Sequence, residues 1–245
     1  RKTGRKDTMK VAFWNMHGVS QVNMDTVQSL CGDTDVFVFT EASKADTIAP
    51  DYGGPTVHFD HTKHGPQDSE SGQVATLCTG DAARAWDSSD QPGPHTGRIQ
   101  HTRIAGVEGD ASIPDVVIIG CYLEQRGLPD KRWETTVDEL ELLVQEPRFA
   151  DCALVIGGDF NCNIGRHQAK RAVSGRWCVH KEPCGRGEYL VKMMKRNGLY
   201  AVSTGAQARP STEGGSATYV LSSDASKKTQ IDYVIMRRRD KNQVR

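Results

Sequence analysis

Residues 153–161 read ALVIGGDFN, from Ala153 to Asn161. The apolar run that opens this stretch is too short for a core helix and predicts a buried strand over residues 153–157. Two glycines then let the backbone turn sharply, so that Asp159 and Asn161 project on either side of Phe160, an apolar residue expected to be buried. The same pattern, an apolar strand closed or opened by a polar residue, recurs along the chain. Asn15 follows VAFW, Glu41 follows VFVFT, Tyr122 follows VVIIGC, and Asp232 opens IDYVIM. Any one of these residues reads as readily as a turn former or a helix cap. Repeated at five strand ends they predict one shared rim, because layered α/β proteins gather loop residues at the ends of their strands.

Working outward, residues 10–15 and 35–40 predict short strands rich in Val and aromatics, with room between them only for a short helix at residues 24–30. Residues 43–72, dense in Asp, His, Gly, Pro and Ser, predict long loops. Residues 72–79 and 97–104 predict strands of a meander, and the continuous apolar run at 115–122 predicts a central strand. Apolar residues at helical spacing predict a helix over 129–146 with Trp133, Val137, Leu140 and Leu143 or Val144 inward, stopped by Pro147. A second helix over 187–197 points Leu190, Val191 and Met194 inward. Residues 199–202 and 231–236 complete the strands. Strands and helices interspersed in this way predict an α/β (α+β) sandwich. No internal repeat or linker divides the chain, so residues 9–245 read as a single domain behind a basic tail at residues 1–8.

The 245 residues carry 31 Lys+Arg against 31 Asp+Glu, so any surface for a polyanion must be a local patch. With 37% hydrophobic and 25% charged residues the chain is neither disordered nor fibrous. Its apolar runs fall far short of the roughly 18 residues of a spanning helix, and the basic start lacks an apolar signal region. These features, and seven scattered cysteines, predict an intracellular, reduced protein that does not enter membranes. Cys178, His180 and Cys184, with Cys162 upstream, match no standard zinc spacing. His58, His61 and His64 read as loop histidines.

A carboxylate beside an amide, as at Asp159 and Asn161, suits phosphate chemistry. The carboxylate takes a proton from an attacking water and the amide donates to an oxyanion, provided a hard cation neutralises the remaining charge. Glu41 is the natural ligand for such a cation, since Mg2+ prefers oxygen and uses one or two carboxylates.

Trp14-Asn15-Met16-His17-Gly18, Thr40-Glu41-Ala42, Gly120-Cys121-Tyr122, Gly158-Asp159-Phe160-Asn161 and Gln230-Ile231-Asp232-Tyr233-Val234 stand in a fixed order. In that order they resemble the motifs of the endonuclease/exonuclease/phosphatase superfamily, over about residues 9–240. From Gly187-Glu188-Tyr189-Leu190 through Asn197-Gly198-Leu199 to Ala217-Thr218-Tyr219, the chain is most similar to the endonuclease domains of non-LTR retrotransposons and their domesticated relatives. The resemblance implies a four-layer sandwich of two mixed β-sheets flanked by helices, and Mg2+- or Mn2+-dependent cleavage of a phosphodiester. By position, it implies that Glu41 holds the metal beside Asn15, Asp159 activates or orients the attacking water, and Asn161 stabilises the pentacoordinate phosphate. Tyr122 would donate to a phosphate oxygen, and Asp232 would orient a catalytic histidine. A hairpin over residues 218–229, with Thr218, Tyr219, Lys227 and Lys228, would approach the DNA groove; it reads equally as a solvated turn.

One departure matters. In this family a Ser-Asp-His or similar motif follows the IDYV strand, whereas residues 237–245 hold no histidine. The pattern predicts either a chain that continues or one that has lost its final strand and catalysis with it. His17 is a second departure, where several relatives carry Asn, Asp or Arg.

The expected function is a metal-dependent, DNA-nicking endonuclease of retrotransposon type, nuclear if so, within a larger polyprotein. RNA is the alternative substrate. The competing readings are an abasic-site nuclease, a deadenylase or a phosphoinositide phosphatase, and, from another class, an inactive family member that serves as a binding or scaffold subunit.

Overall fold

Successive side chains of a strand point to opposite faces, so a strand buried on both sides must be apolar throughout. The structure, a computed structural model, describes residues 8–16, 25, 27, 34–42, 57–61, 74–86, 98–106, 114–125, 130–166, 172–205, 218–221 and 224–241. They fall in two units, Arg1–Tyr122 and Leu123–Arg245.

In the first unit, β1 (Val11–Asn15), β2 (Val36–Thr40), β3 (Val57–His61) and β4 (Val74–Thr79) form a sheet of order β1-β2-β4-β3. β1 runs parallel to β2 and the other pairs are antiparallel. Phe37, Phe39, Ala75 and Leu77 face one way and pack with Met16, Val27 and Ala42. Val36, Val38, Val74 and Cys78 face the other way. They pack on Ile104, Ile118 and Tyr122, which belong to the antiparallel pair β5 (Ile99–Ile104) and β6 (Val116–Tyr122). Two β layers therefore meet inside this unit. Their approach requires Gly120, since a Cβ there would lie 2.5 Å from Val38 Cγ1 and 2.6 Å from Val74 Cγ1.

Three expectations change. Residues 57–61, placed in a loop by their composition, form β3, because β4 offers a full antiparallel register that local composition does not encode. His58 and His61 are accordingly strand residues, while His64 lies outside the described residues. The meander is also incorrect. β4 and β5 belong to different layers, joined by the Thr76 hydroxyl donating to Gln100 Oε1 at 3.0 Å. A short helix, α1 (Gly80–Arg84), follows β4. Of the helix expected at 24–30, Asp25 and Val27 are described, and both are helical.

In the second unit α2 (Asp130–Val144) buries Trp133, Val137, Leu140, Leu143 and Val144, the stripe its periodicity predicts, together with Thr136. The Arg237 guanidinium satisfies carbonyls at and beyond its end, donating to Phe149, Cys152 and Val144 oxygens at 2.7, 2.9 and 3.3 Å. β7 (Ala153–Asp159) is followed by α3 (Gly185–Arg196), which buries Leu190, Val191, Met193 and Met194. Next come β8 (Leu199–Ala201), the antiparallel hairpin β9 (Tyr219–Leu221) and β10 (Asp224–Thr229), and β11 (Asp232–Arg237). β11 pairs antiparallel with β7 on one side and β8 on the other.

Candidate active site

Parallel pairing sets Asn15, the last residue of β1, opposite Thr40, so Glu41 emerges one residue beyond. The Asn15 amide donates from Nδ2 to Glu41 Oε1 at 3.0 Å. Glu41 holds this place with φ of 53°, a left-handed conformation that costs a residue bearing a Cβ. The hydrogen bond holds the Asn15 amide and the Glu41 carboxylate together, and amide and carboxylate oxygens are donors of the kind a hard divalent cation takes. Among the described residues, no three His, Cys, Asp or Glu are grouped to hold a metal. Cys162 and Cys178 are buried, and burial pushes the Cys178 thiol up.

Tyr122 closes β6 with 2% exposure, its ring in the core between the β layers. Arg98, 4% exposed, grips it: the guanidinium lies 5.4 Å from the ring centroid, and the Arg98 carbonyl accepts the Tyr122 N–H at 2.9 Å. Sequence reasoning passed over Arg98, whose only signal was a cation immediately before the strand β5.

In the second unit the glycines do not turn the chain as the sequence reading expects: Gly157 and Gly158 pair with Val234 and Tyr233 inside β7, which runs on to Asp159 because β11 offers it a full register, and the bend falls at Asn161. Gly158 takes φ of 139°, Asp159 is 4% exposed and Phe160 is fully buried. Asp159 Oδ1 accepts the Asn161 N–H at 2.8 Å, which closes an Asx turn. Asn161, with φ of 47°, donates from Nδ2 to the Leu123 carbonyl at 2.8 Å, and the Leu123 N–H returns to the Asp159 carbonyl at 2.9 Å. The register of β11 on β7 sets Asp232 directly opposite Asp159. Two carboxylates on facing strand positions oppose folding, so their juxtaposition is better suited to chemistry than to stability.

Thr218 serves the base of the hairpin. Its hydroxyl oxygen accepts the Ile231 and Asp232 N–H groups, each at 3.1 Å. Tyr219 lies in β9, and Lys227 and Lys228 lie in β10, where the register shifts between Asp224 and Lys228. Behind the hairpin, His180 Nε2 meets Thr229 Oγ1 at 2.7 Å, and the Gln230 side chain accepts the Val179 N–H at 3.3 Å. The Tyr233 hydroxyl donates to the Gln230 carbonyl at 2.7 Å, and burial pushes its pKa up so that it stays a donor. His17 lies outside the described residues.

By sequence, no family model and no curated protein matches the chain. Solved structures do match it. The endonuclease domain of TRAS1, a telomere-specific non-LTR retrotransposon, is 15% identical with a TM-score of 0.59, over 94% of this chain and 85% of that one. A 3' phosphatase, NExo from Neisseria bound to a product DNA hairpin, is 16% identical with a TM-score of 0.64, over 96% and 89%. An endonuclease/exonuclease/phosphatase family protein from Leptotrichia buccalis is 14% identical with a TM-score of 0.54, over 94% and 88%. The likeness shows the fold. This chain has the α/β sandwich of the endonuclease/exonuclease/phosphatase family, with two mixed β-sheets and helices, as its ordered motifs predict. Among the described residues, no helix is long and apolar enough to cross a membrane.

Proposed function

We propose that this chain is a divalent-metal-dependent phosphodiester hydrolase that nicks DNA in the manner of a retrotransposon endonuclease, acting in the nucleus, with residues 9–245 as its catalytic domain. The observation that carries the reading is a matter of backbone strain. Among the described residues, the two non-glycine positions at positive φ are Glu41 and Asn161, both singled out by the motifs. Strain of this kind persists where surrounding structure holds a side chain to a task.

Glu41 and Asn15 are the residues that would hold Mg2+ or Mn2+. A bound ion of this class offsets phosphate charge and polarises the phosphoryl oxygens. The Asp159 carboxylate accepts the proton of the attacking water. Asn161 commits one N–H to Leu123 and offers the other to a non-bridging phosphate oxygen, where charge grows as the phosphorus becomes pentacoordinate. Tyr122 supplies a hydroxyl donor to a second oxygen. Asp232 stands opposite Asp159 on the neighbouring strand, and the resemblance gives it the task of orienting a histidine. The hairpin meets DNA through Thr218, Tyr219, Lys227 and Lys228. Support for DNA as substrate comes from the similar fold solved with a product DNA hairpin.

Nicking of supercoiled plasmid tests the reading, with Mg2+ or EDTA, alongside Asp159→Ala, Glu41→Ala and Asn161→Ala. Open circles should form only with Mg2+, and Asp159→Ala and Glu41→Ala should abolish them in folded protein. Asn161→Ala should slow nicking by about 100-fold or more. Wild-type rates in either folded carboxylate variant would sink the site assignment. A folded wild-type chain that does not nick would sink the reading of residues 9–245 as a catalytic domain sufficient by itself.

A further inference from the structure

Directly behind residues 159–161 stand a buried carboxylate, a guanidinium and an indole that this chemistry does not use. Glu124 follows Leu123, the residue whose carbonyl orients the Asn161 amide, and is 3% exposed. Its carboxylate accepts the Thr136 hydroxyl of α2, at 3.3 and 3.2 Å from the two oxygens. Its carbonyl accepts Arg186 Nη1 at 2.7 Å. Arg186, the second residue of α3, is only 9% exposed at its side chain, and its Nε donates to Asp130 Oδ1 at 2.7 Å, at the start of α2. The guanidinium lies 5.7 Å from the Trp133 ring centroid, and Trp133 Nε1 donates at 3.0 Å to the Phe160 carbonyl, between Asp159 and Asn161. The start of α3 is pressed on the same loop. The Cys184 N–H donates to the Asn163 carbonyl at 3.1 Å, and a Cβ on Gly187 would lie 1.7 Å from that oxygen.

We propose that Arg186 is a positioning residue for Asn161, tying the starts of α2 and α3 to the backbone of Leu123 and Glu124 from which the Asn161 amide takes its direction. The proposal rests on the reading of Asn161 as a phosphate donor. Asn161 occupies a backbone conformation that its surroundings must impose, and its side-chain nitrogen has the Leu123 carbonyl as acceptor. Residues 123–125 are irregular chain beyond β6, so the precision of that acceptor depends on what holds the segment from behind. A charge-assisted donor in a water-poor setting holds it more firmly than a neutral one. The planar fork of arginine holds a carbonyl and a carboxylate in one rigid geometry, whereas a lysine ammonium is a point charge on a flexible stem. A residue that merely docks α3 on α2 would affect stability without touching the Asn161 amide.

The experiment compares the wild type with Arg186→Ala, Arg186→Lys, Asn161→Ala and the double variant Arg186→Ala/Asn161→Ala. It reads kcat and KM for Mg2+-dependent plasmid nicking, Tm, and the NMR signals of the Asn161 side-chain amide. Arg186→Ala should move those signals and lower kcat by about 10- to 100-fold with KM unchanged, and should add nothing to Asn161→Ala. Arg186→Lys should move both readouts in the same direction by less, and serves alone if Arg186→Ala does not fold. Unmoved amide signals in a folded Arg186 variant, or losses that multiply in the double variant, overturn the proposal. Should the wild type fail to nick, the amide signals still decide the matter, so this failure and that of the nuclease reading remain distinct.

Discussion

At Glu41 and Asn161 the backbone φ is 53° and 47°, where a Cβ crowds the carbonyl and costs about 1–2 kcal/mol. Asparagine tolerates the region and a turn hydrogen bond to Asp159 helps it, but glutamate gains no such help from its own stereochemistry. Glu41→Gly should therefore be more stable than Glu41→Ala by about 1 kcal/mol in urea melts, although neither nicks DNA. Equal stabilities would mean that the local conformation relaxes when the carboxylate is gone. The identity of both residues as polar endings of apolar strands was legible in the chain. Their left-handed conformation was not. Arg98 and Arg186 escaped notice for a related reason, since a buried arginine is recognised by its acceptors, and these lie 24 and 62 residues away.

Elements add a different control, visible where α2 meets α3. Arg196 donates to Glu141 from Nε at 3.0 Å and Nη2 at 2.5 Å, and Asn197 Nδ2 donates to it at 2.7 Å. The Arg196 hydrogen bond, opposed by partial burial, holds the Glu141 carboxyl below its ordinary value of 4.5. The folded state thus favours the charged form, so the stabilisation is complete above that ordinary value and fades as pH falls through the lowered one. Wild type should melt above Glu141→Gln at pH 7, and the two should converge as acidification carries the pH down through that lowered value. A gap in Tm that persists unchanged in acid would show that the pair does not act through charge. The effect is small, because Arg196 is 55% exposed. Both helices were readable from the spacing of Trp133, Val137 and Leu140 and of Leu190, Val191 and Met194, because helical periodicity is a local property. β3 was not, because an edge strand of mixed composition is defined by its partner.

Across the whole molecule, neutral net charge leaves substrate attraction to local groups, and thiol chemistry is governed by burial. Of the six cysteines among the described residues, five are buried and Cys184, at the start of α3, is half-buried. Iodoacetamide followed by peptide mapping should modify Cys184 before Cys78, Cys121, Cys152, Cys162 and Cys178. Earlier labelling of Cys178 would contradict the packing around it. The sequence by itself determined the strands and helices whose periodicity is local, and the ordered motifs that point to the endonuclease/exonuclease/phosphatase fold. Tertiary structure alone decided that β4 pairs with β3 rather than β5, that Asp232 stands opposite Asp159, and that Arg186 reaches the Glu124 carbonyl, one residue beyond the Leu123 carbonyl that accepts the Asn161 amide. The physical reason is that side-chain periodicity is written in neighbouring residues. Strand register and the acceptors of a buried cation are chosen only when distant segments compete for the same unsatisfied groups.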